Sequence, residues 1–135
     1  MSAGYSGTPL AKKLSLKPGL RAWFDNMPPS VVAEIGDVGL DLLVAPEAPL
    51  DVAHIFVTVR ADMDAKLAAL RPLLVPNGFI WVSWPKKASK VPTDITEDSI
   101  REVILPDTDL VDVKVCAVDS IWSGLKLMIR KERRG

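Results

Sequence analysis

"LRPLLVPNGFIWVSW", residues 70–84, changes its period halfway along. Upstream, Met63, Leu67, Leu70 and Leu74 recur at helical spacing over 62–74, and Pro72 and Pro76 trim the end of that helix. Downstream, residues 79–84 are continuously apolar and aromatic apart from Ser83, which is the pattern of a strand buried on both faces. Working outward, residues 52–59, "VAHIFVTV", form another strand rich in β-branched and aromatic residues, and residues 40–45 a further apolar one. Residues 20–24 read as the first strand. Residues 28–35 read as a short helix started by two prolines and ended by Gly36.

The two ends complete the pattern. A short N-terminal helix is expected at about 8–16, with Thr8 as cap and Pro9 at its first position. A helix over 96–105 follows a polar stretch, with Asp94 or Thr96 as its cap. Val111, Val113, Val115 and Ala117 alternate on one face, and Ile121, Leu125, Leu127 and Ile129 on another; Asp119 and Ser120 supply the turn of a closing hairpin. Strands alternating with helices predict an α/β, Rossmann-like three-layer sandwich. Its sheet has about six strands, mostly parallel, with a C-terminal antiparallel hairpin. The 135 residues fit one domain, 1–135.

Composition narrows the function classes. Lys plus Arg and Asp plus Glu both number 17, so the formal net charge is zero, which argues against a nucleic-acid partner. Cys116 is the single cysteine and no Cys/His cluster accompanies it, so neither an internal disulfide nor a structural zinc site is expected. No segment has the length and apolarity of a signal peptide or membrane span, and a cytoplasmic protein without a membrane partner is expected.

This order of elements resembles the class I methyltransferase fold over nearly the whole chain. "LKPGLRAWF" is similar to its first strand, "LDVAHIFV" to its fourth with the leading acid Asp51, and residues 70–84 to the turn into its fifth. "AGYSGTPLAKKL", "WPKKAS" and "KVCAVD…WSGL" also resemble a group of small bacterial proteins of this length without an assigned activity. Only "VAPEAPLD" stands between the second strand and the fourth-like one, so the family's third strand and its helix are missing. The resemblance implies S-adenosylmethionine as cofactor, held at a glycine-rich turn after the first strand. Here that turn reads "DNMPP", without glycine: Met27 adds bulk, and Pro28 and Pro29 remove two amide donors. Asp25, Asn26 and, after the second strand, Glu47 are the residues that the resemblance assigns to a cofactor.

Other candidates are expected at the carboxyl ends of the strands, where open α/β sheets bind ligands. Thr58, Arg60, Trp84, Lys86, Lys87 and Lys90 are the ligand-binding candidates: the lysines for an anion, the Trp84 ring as a platform. His54, inside an apolar strand, reads as a satisfied core histidine, and Cys116 as an inert thiol. No catalytic or metal-binding residue is assigned. The expectation is a methyltransferase-like domain without methyltransferase activity, with no resident cofactor, acting as a module for a protein partner or a small anionic ligand. The alternatives are an atypical S-adenosylmethionine-dependent transferase and a nucleic-acid accessory protein using the basic stretches 86–90 and 130–134.

Overall fold

The computed structural model describes residues 8–104 and 108–134. The elements run α1 (Leu10–Lys13), β1 (Arg21–Asp25), α2 (Pro29–Ile35), β2 (Asp41–Leu42), β3 (Leu50–Phe56), α3 (Arg60–Leu70), β4 (Leu74–Pro85), α4 (Glu97–Ile104), β5 (Leu110–Ala117) and β6 (Trp122–Ile129). They build one sheet of order β2-β1-β3-β4-β6-β5. The first four strands are parallel to one another, and β6 is antiparallel to both β4 and β5. This is the mostly parallel six-stranded α/β sheet with a closing hairpin that the sequence predicts.

Each face of the sheet has its own core. On one, Met63, Leu67 and Leu70 of α3 and Ile100 and Ile104 of α4 pack on Ala53, Ile55, Ile80, Val82, Leu125 and Leu127. On the other, Leu10 and Leu14, with Val31 and Ile35 of α2, pack on Val52, Phe56, Phe79 and Trp81. Alternation along β3 and β4 serves both cores, which is why these strands read as unbroken apolar runs. Trp81 is fully buried, and its Nε1 donates to the Leu14 carbonyl at 2.9 Å, fastening the N-terminal segment to the central strand. Trp23 is only partly buried against the α3/α4 core.

Several local expectations need correction. The N-terminal helix is a single turn with Pro9 at its cap, and Thr8 makes no capping bond; the expected end of the last helix, Leu105, lies outside the described residues. Thr96 rather than Asp94 caps α4, its Oγ1 accepting from the Ser99 amide at 3.1 Å while the Thr96 amide donates to Ser99 Oγ at 2.7 Å. Pro76-Asn77-Gly78 is no separate turn but an irregularity inside β4, where the register against β3 shifts. Gly78 is required there, because a Cβ would stand 3.0 Å from the Leu50 carbonyl oxygen and 3.1 Å from that of Asp51.

The two sheet edges depart most. The second strand is only two residues long and exposed, because no other strand among the described residues pairs beyond it. On β5 the valines expected to share one face do not form an apolar side: Val113 and Val115 are 46% and 48% exposed. A register shift between Asp112 and Lys114 breaks the alternation, and Leu110 and Cys116 are the buried residues instead. Such a bulge on an edge strand discourages pairing with another chain.

Candidate functional site

The turn after β1 carries the feature that most separates this chain from a glycine-rich cofactor loop. Asp25 lies beside Ile55 in register, so its side chain falls on the α3 face, where its Oδ2 forms an ion pair with Lys66 Nζ. The Asp25 side chain is 19% exposed and that of Lys66 24%. Oδ2 has no hydrogen bond of good geometry and is satisfied by the ammonium charge alone. Asn26 takes the left-handed backbone conformation, with φ of +56°, that a glycine would otherwise supply, and asparagine tolerates it better than most residues. Met27 and Phe24 pack on the α1/α2 core under the turn. A concavity of about 100 Å³ is lined by Phe24, Val32, Ile35, residues 36–40 and Leu42 and does not touch Asp25.

The carboxyl edge beyond this turn is closed by contacts within the chain. The Asp94 carboxylate accepts from the Arg60 amide at 2.7 Å, so a protein acid already holds the N-terminus of α3. The Thr58 carbonyl accepts from Thr93 Oγ1 at 2.7 Å and from the Asp94 amide. Arg60 turns toward α4, its Nη1 3.3 Å from Glu102. Lys86 Nζ donates to the Asp119 carbonyl at 2.6 Å, bracing the hairpin turn. Trp84 is buried within the α3/α4 core, so its ring is no platform for a ligand at the surface. Lys87 and Lys90 are exposed, Lys90 at a φ of +62°.

Two groupings that the alternative readings of the sequence would require do not form. Glu47 lies at the amino end of the sheet, where Arg21, the first residue of β1, reaches it at 3.2 Å and also bonds the Pro49 carbonyl. Asp25 and Glu47 therefore stand at opposite ends of β1. With no third strand, the chain must return at once to the start of β3, and it carries Glu47 with it. The basic stretches 86–90 and 130–134 are likewise separated: one follows the carboxyl end of β4, while the other follows β6, which runs antiparallel and ends beside the start of β4. They cannot share one nucleic-acid face.

His54 and Cys116 are both buried. The imidazole stacks on Phe56 with centroids 4.5 Å apart, and its Nε2 shares a 2.7 Å hydrogen bond with Ser83 Oγ. Burial pushes its pKa down to about 3, so it is neutral at physiological pH. Burial pushes the Cys116 thiol up, against the opposing charges of Lys13 and Lys114. Among the described residues, no cluster of histidine, cysteine and carboxylate side chains could hold a metal, and no helix is long and apolar enough to cross a membrane.

A larger groove of about 850 Å³ opens at the opposite, amino edge, between the ends of α3 and α4. Leu67, Pro72, Val103 and Leu110 form its apolar part. Arg71 spans it with a two-pronged bond to Asp109, both distances 2.6 Å, which holds the Asp109 carboxyl below the usual carboxylate range. Lys66 is the residue that the reading of the sequence missed. The available signal was that it is the only cation inside α3 after Arg60, next to the buried Leu67.

These strand connections define a Rossmann-like α/β domain with the class I methyltransferase fold. No protein-family model and no curated protein matches the chain, whereas solved structures do. A SAM-dependent methyltransferase from Aquifex aeolicus superposes with a TM-score of 0.61 at 14% identity, over 89% of each chain. Magnesium protoporphyrin IX methyltransferase (ChlM) from Synechocystis PCC 6803, solved with bound S-adenosylmethionine (SAM), gives 0.55 at 11% identity, over 87% of this chain and 73% of that one. LepI, solved in complex with SAM, gives 0.55 at 12% identity; the chain covers 39% of its length. At such identities the likeness establishes the fold alone.

Proposed function

We propose that this chain is a cytoplasmic methyltransferase-fold module that engages a protein partner or a small anionic ligand and does not itself transfer methyl groups. The observation that carries the reading is the Asp25–Lys66 ion pair, which commits the one acid at the end of β1 to a neighbouring helix. The residues present do not fit SAM as this fold would hold it. Pro28 and Pro29 offer no amides, Met27 and Phe24 are committed to packing on the α1/α2 core, and Glu47 lies at the far end of β1. Exposed Leu42 and Val44, where a further strand would lie, support a role in contacts with another protein.

The competing reading, an atypical SAM-dependent transferase, draws on the likeness to proteins solved with SAM bound. Calorimetric titration with SAM and with S-adenosylhomocysteine separates the two. The module reading expects no heat and no rise in melting temperature at millimolar ligand. Micromolar binding that disappears in Asp25→Ala would overturn it.

A further inference from the structure

Four lysines gather on the α1 side of the hairpin. Lys114 and Lys126 stand directly opposite each other across β5 and β6. Lys114 Nζ donates to the Lys13 carbonyl at 3.1 Å, and Lys13 Nζ donates to the Ala117 carbonyl at 3.1 Å. Lys126 Nζ donates to Ser15 Oγ at 3.0 Å and lies 4.4 Å from the centre of the Phe79 ring. Lys17 adds its charge to the same neighbourhood: after burial, the charges of Lys114 and Lys17 push the Lys126 ammonium below the ordinary lysine range. Among the described residues none of the four meets a carboxylate within ion-pair distance. The partners named here are neutral oxygens.

Like charges directly opposite on neighbouring strands are destabilising. The chain has 17 acidic residues, yet among the described residues none pairs with these lysines. Tethering the N-terminal segment does not account for the charge, because a glutamine could donate to the same neutral oxygens without repulsion. What several ammonium groups on one face without acids do suit is an anion of high charge, since lysine offers point charges and rotatable donors.

We propose that Lys13, Lys17, Lys114 and Lys126, with Ser15, form a binding site for a ligand bearing several phosphate charges. The site is distinct from the carboxyl edge and stands whether or not SAM binds. A free or nucleotide-borne polyphosphate and the backbone of a single-stranded nucleic acid share this chemistry, so both serve as probes.

The test is titration of the full chain at low salt with sodium tripolyphosphate and with short oligothymidylate, followed by melting temperature and by backbone amide resonances. The expected result is a saturable rise in melting temperature, with shifts centred on residues 13–17, 114 and 126. Lys114→Gln/Lys126→Gln should weaken binding by about tenfold or more. Lys17→Gln, whose side chain makes no hydrogen bond or ion pair among the described residues, should weaken it without lowering the melting temperature measured without ligand. Tighter binding of tripolyphosphate assigns the site to a nucleotide or polyphosphate; tighter binding of oligothymidylate with a steep salt dependence assigns it to a nucleic acid. No saturable response to either probe, or equal binding by the variants, overturns the proposal.

Discussion

The two faces of the sheet are built on different terms. The α3/α4 face buries a core that is apolar apart from the Ser99 hydroxyl, and the charges around it are paired: Asp25 with Lys66, Arg71 with Asp109, Arg101 with Glu97 and Asp112, and Arg60 with Glu102. The α1/α2 face buries an imidazole, a hydroxyl and a thiol, and beside them stand lysines without acids. One row across this face runs Phe24, His54, Trp81, Lys126, Lys114, passing from aromatic packing to bare charge within five strands. Stability alone would favour the first arrangement on both sides. The difference teaches that the α1/α2 face, rather than the usual carboxyl edge, is where this fold keeps groups at an energetic disadvantage.

The largest expected effect comes from cutting the link between the N-terminal segment and the sheet. Trp81→Ala removes a fully buried ring and the donor to the Leu14 carbonyl, and urea denaturation should show a loss of about 4 kcal/mol. A loss below about 1 kcal/mol would mean that the α1/α2 core contributes little.

Acid should then reveal the polar half. His54 is held neutral in the fold with a pKa of about 3, against 6.5 when unfolded, so the unfolded chain binds more protons throughout that window. Stability must therefore fall as pH drops from 6.5 toward 3, by about 2 kcal/mol between pH 7 and pH 5. His54→Leu should flatten this slope even if it lowers stability at neutral pH. An unchanged slope would point to another group.

Charge removal sharpens the contrast in sign. Lys66→Met leaves the mostly buried Asp25 carboxylate without its counter-charge and should cost about 2 kcal/mol, measured by chemical denaturation. Arg71→Ala, at a more exposed pair, should cost about 1 kcal/mol. On the other face Lys114→Gln keeps an amide donor for the Lys13 carbonyl and removes the repulsion with Lys126, so stability should rise by about 0.3 kcal/mol. A loss in that variant would show that the lysines act as structural ties rather than as strained charges.

Much of the architecture was legible because burial on both faces leaves a direct imprint on sequence. Residues 52–56 and 79–84 are apolar apart from His54 and Ser83, since each successive side chain enters one core or the other. The edges were read less well. Apolar residues at 40–45 and 111–117 suggested core-facing strands, yet Val44, Val113 and Val115 are exposed, because an edge lacks the neighbour that would cover them. The candidate site was legible only in its parts. Asp25 and Lys86 were found, but Lys66 as the partner of one and the Asp119 carbonyl as the partner of the other depend on which helix and which turn lie alongside.

By itself the sequence determined the order of helices and strands, the absence of a third strand, and the absence of glycines from the first turn. All of these follow from local period, proline and glycine chemistry, and chain length. Only the tertiary structure decided where charges meet. It sent Glu47 to the amino end of β1, tied Asp25 to α3, and brought Lys13 to Lys114 across 101 positions of chain. Coulomb interactions depend on distance in space, and no periodicity along the chain encodes that distance.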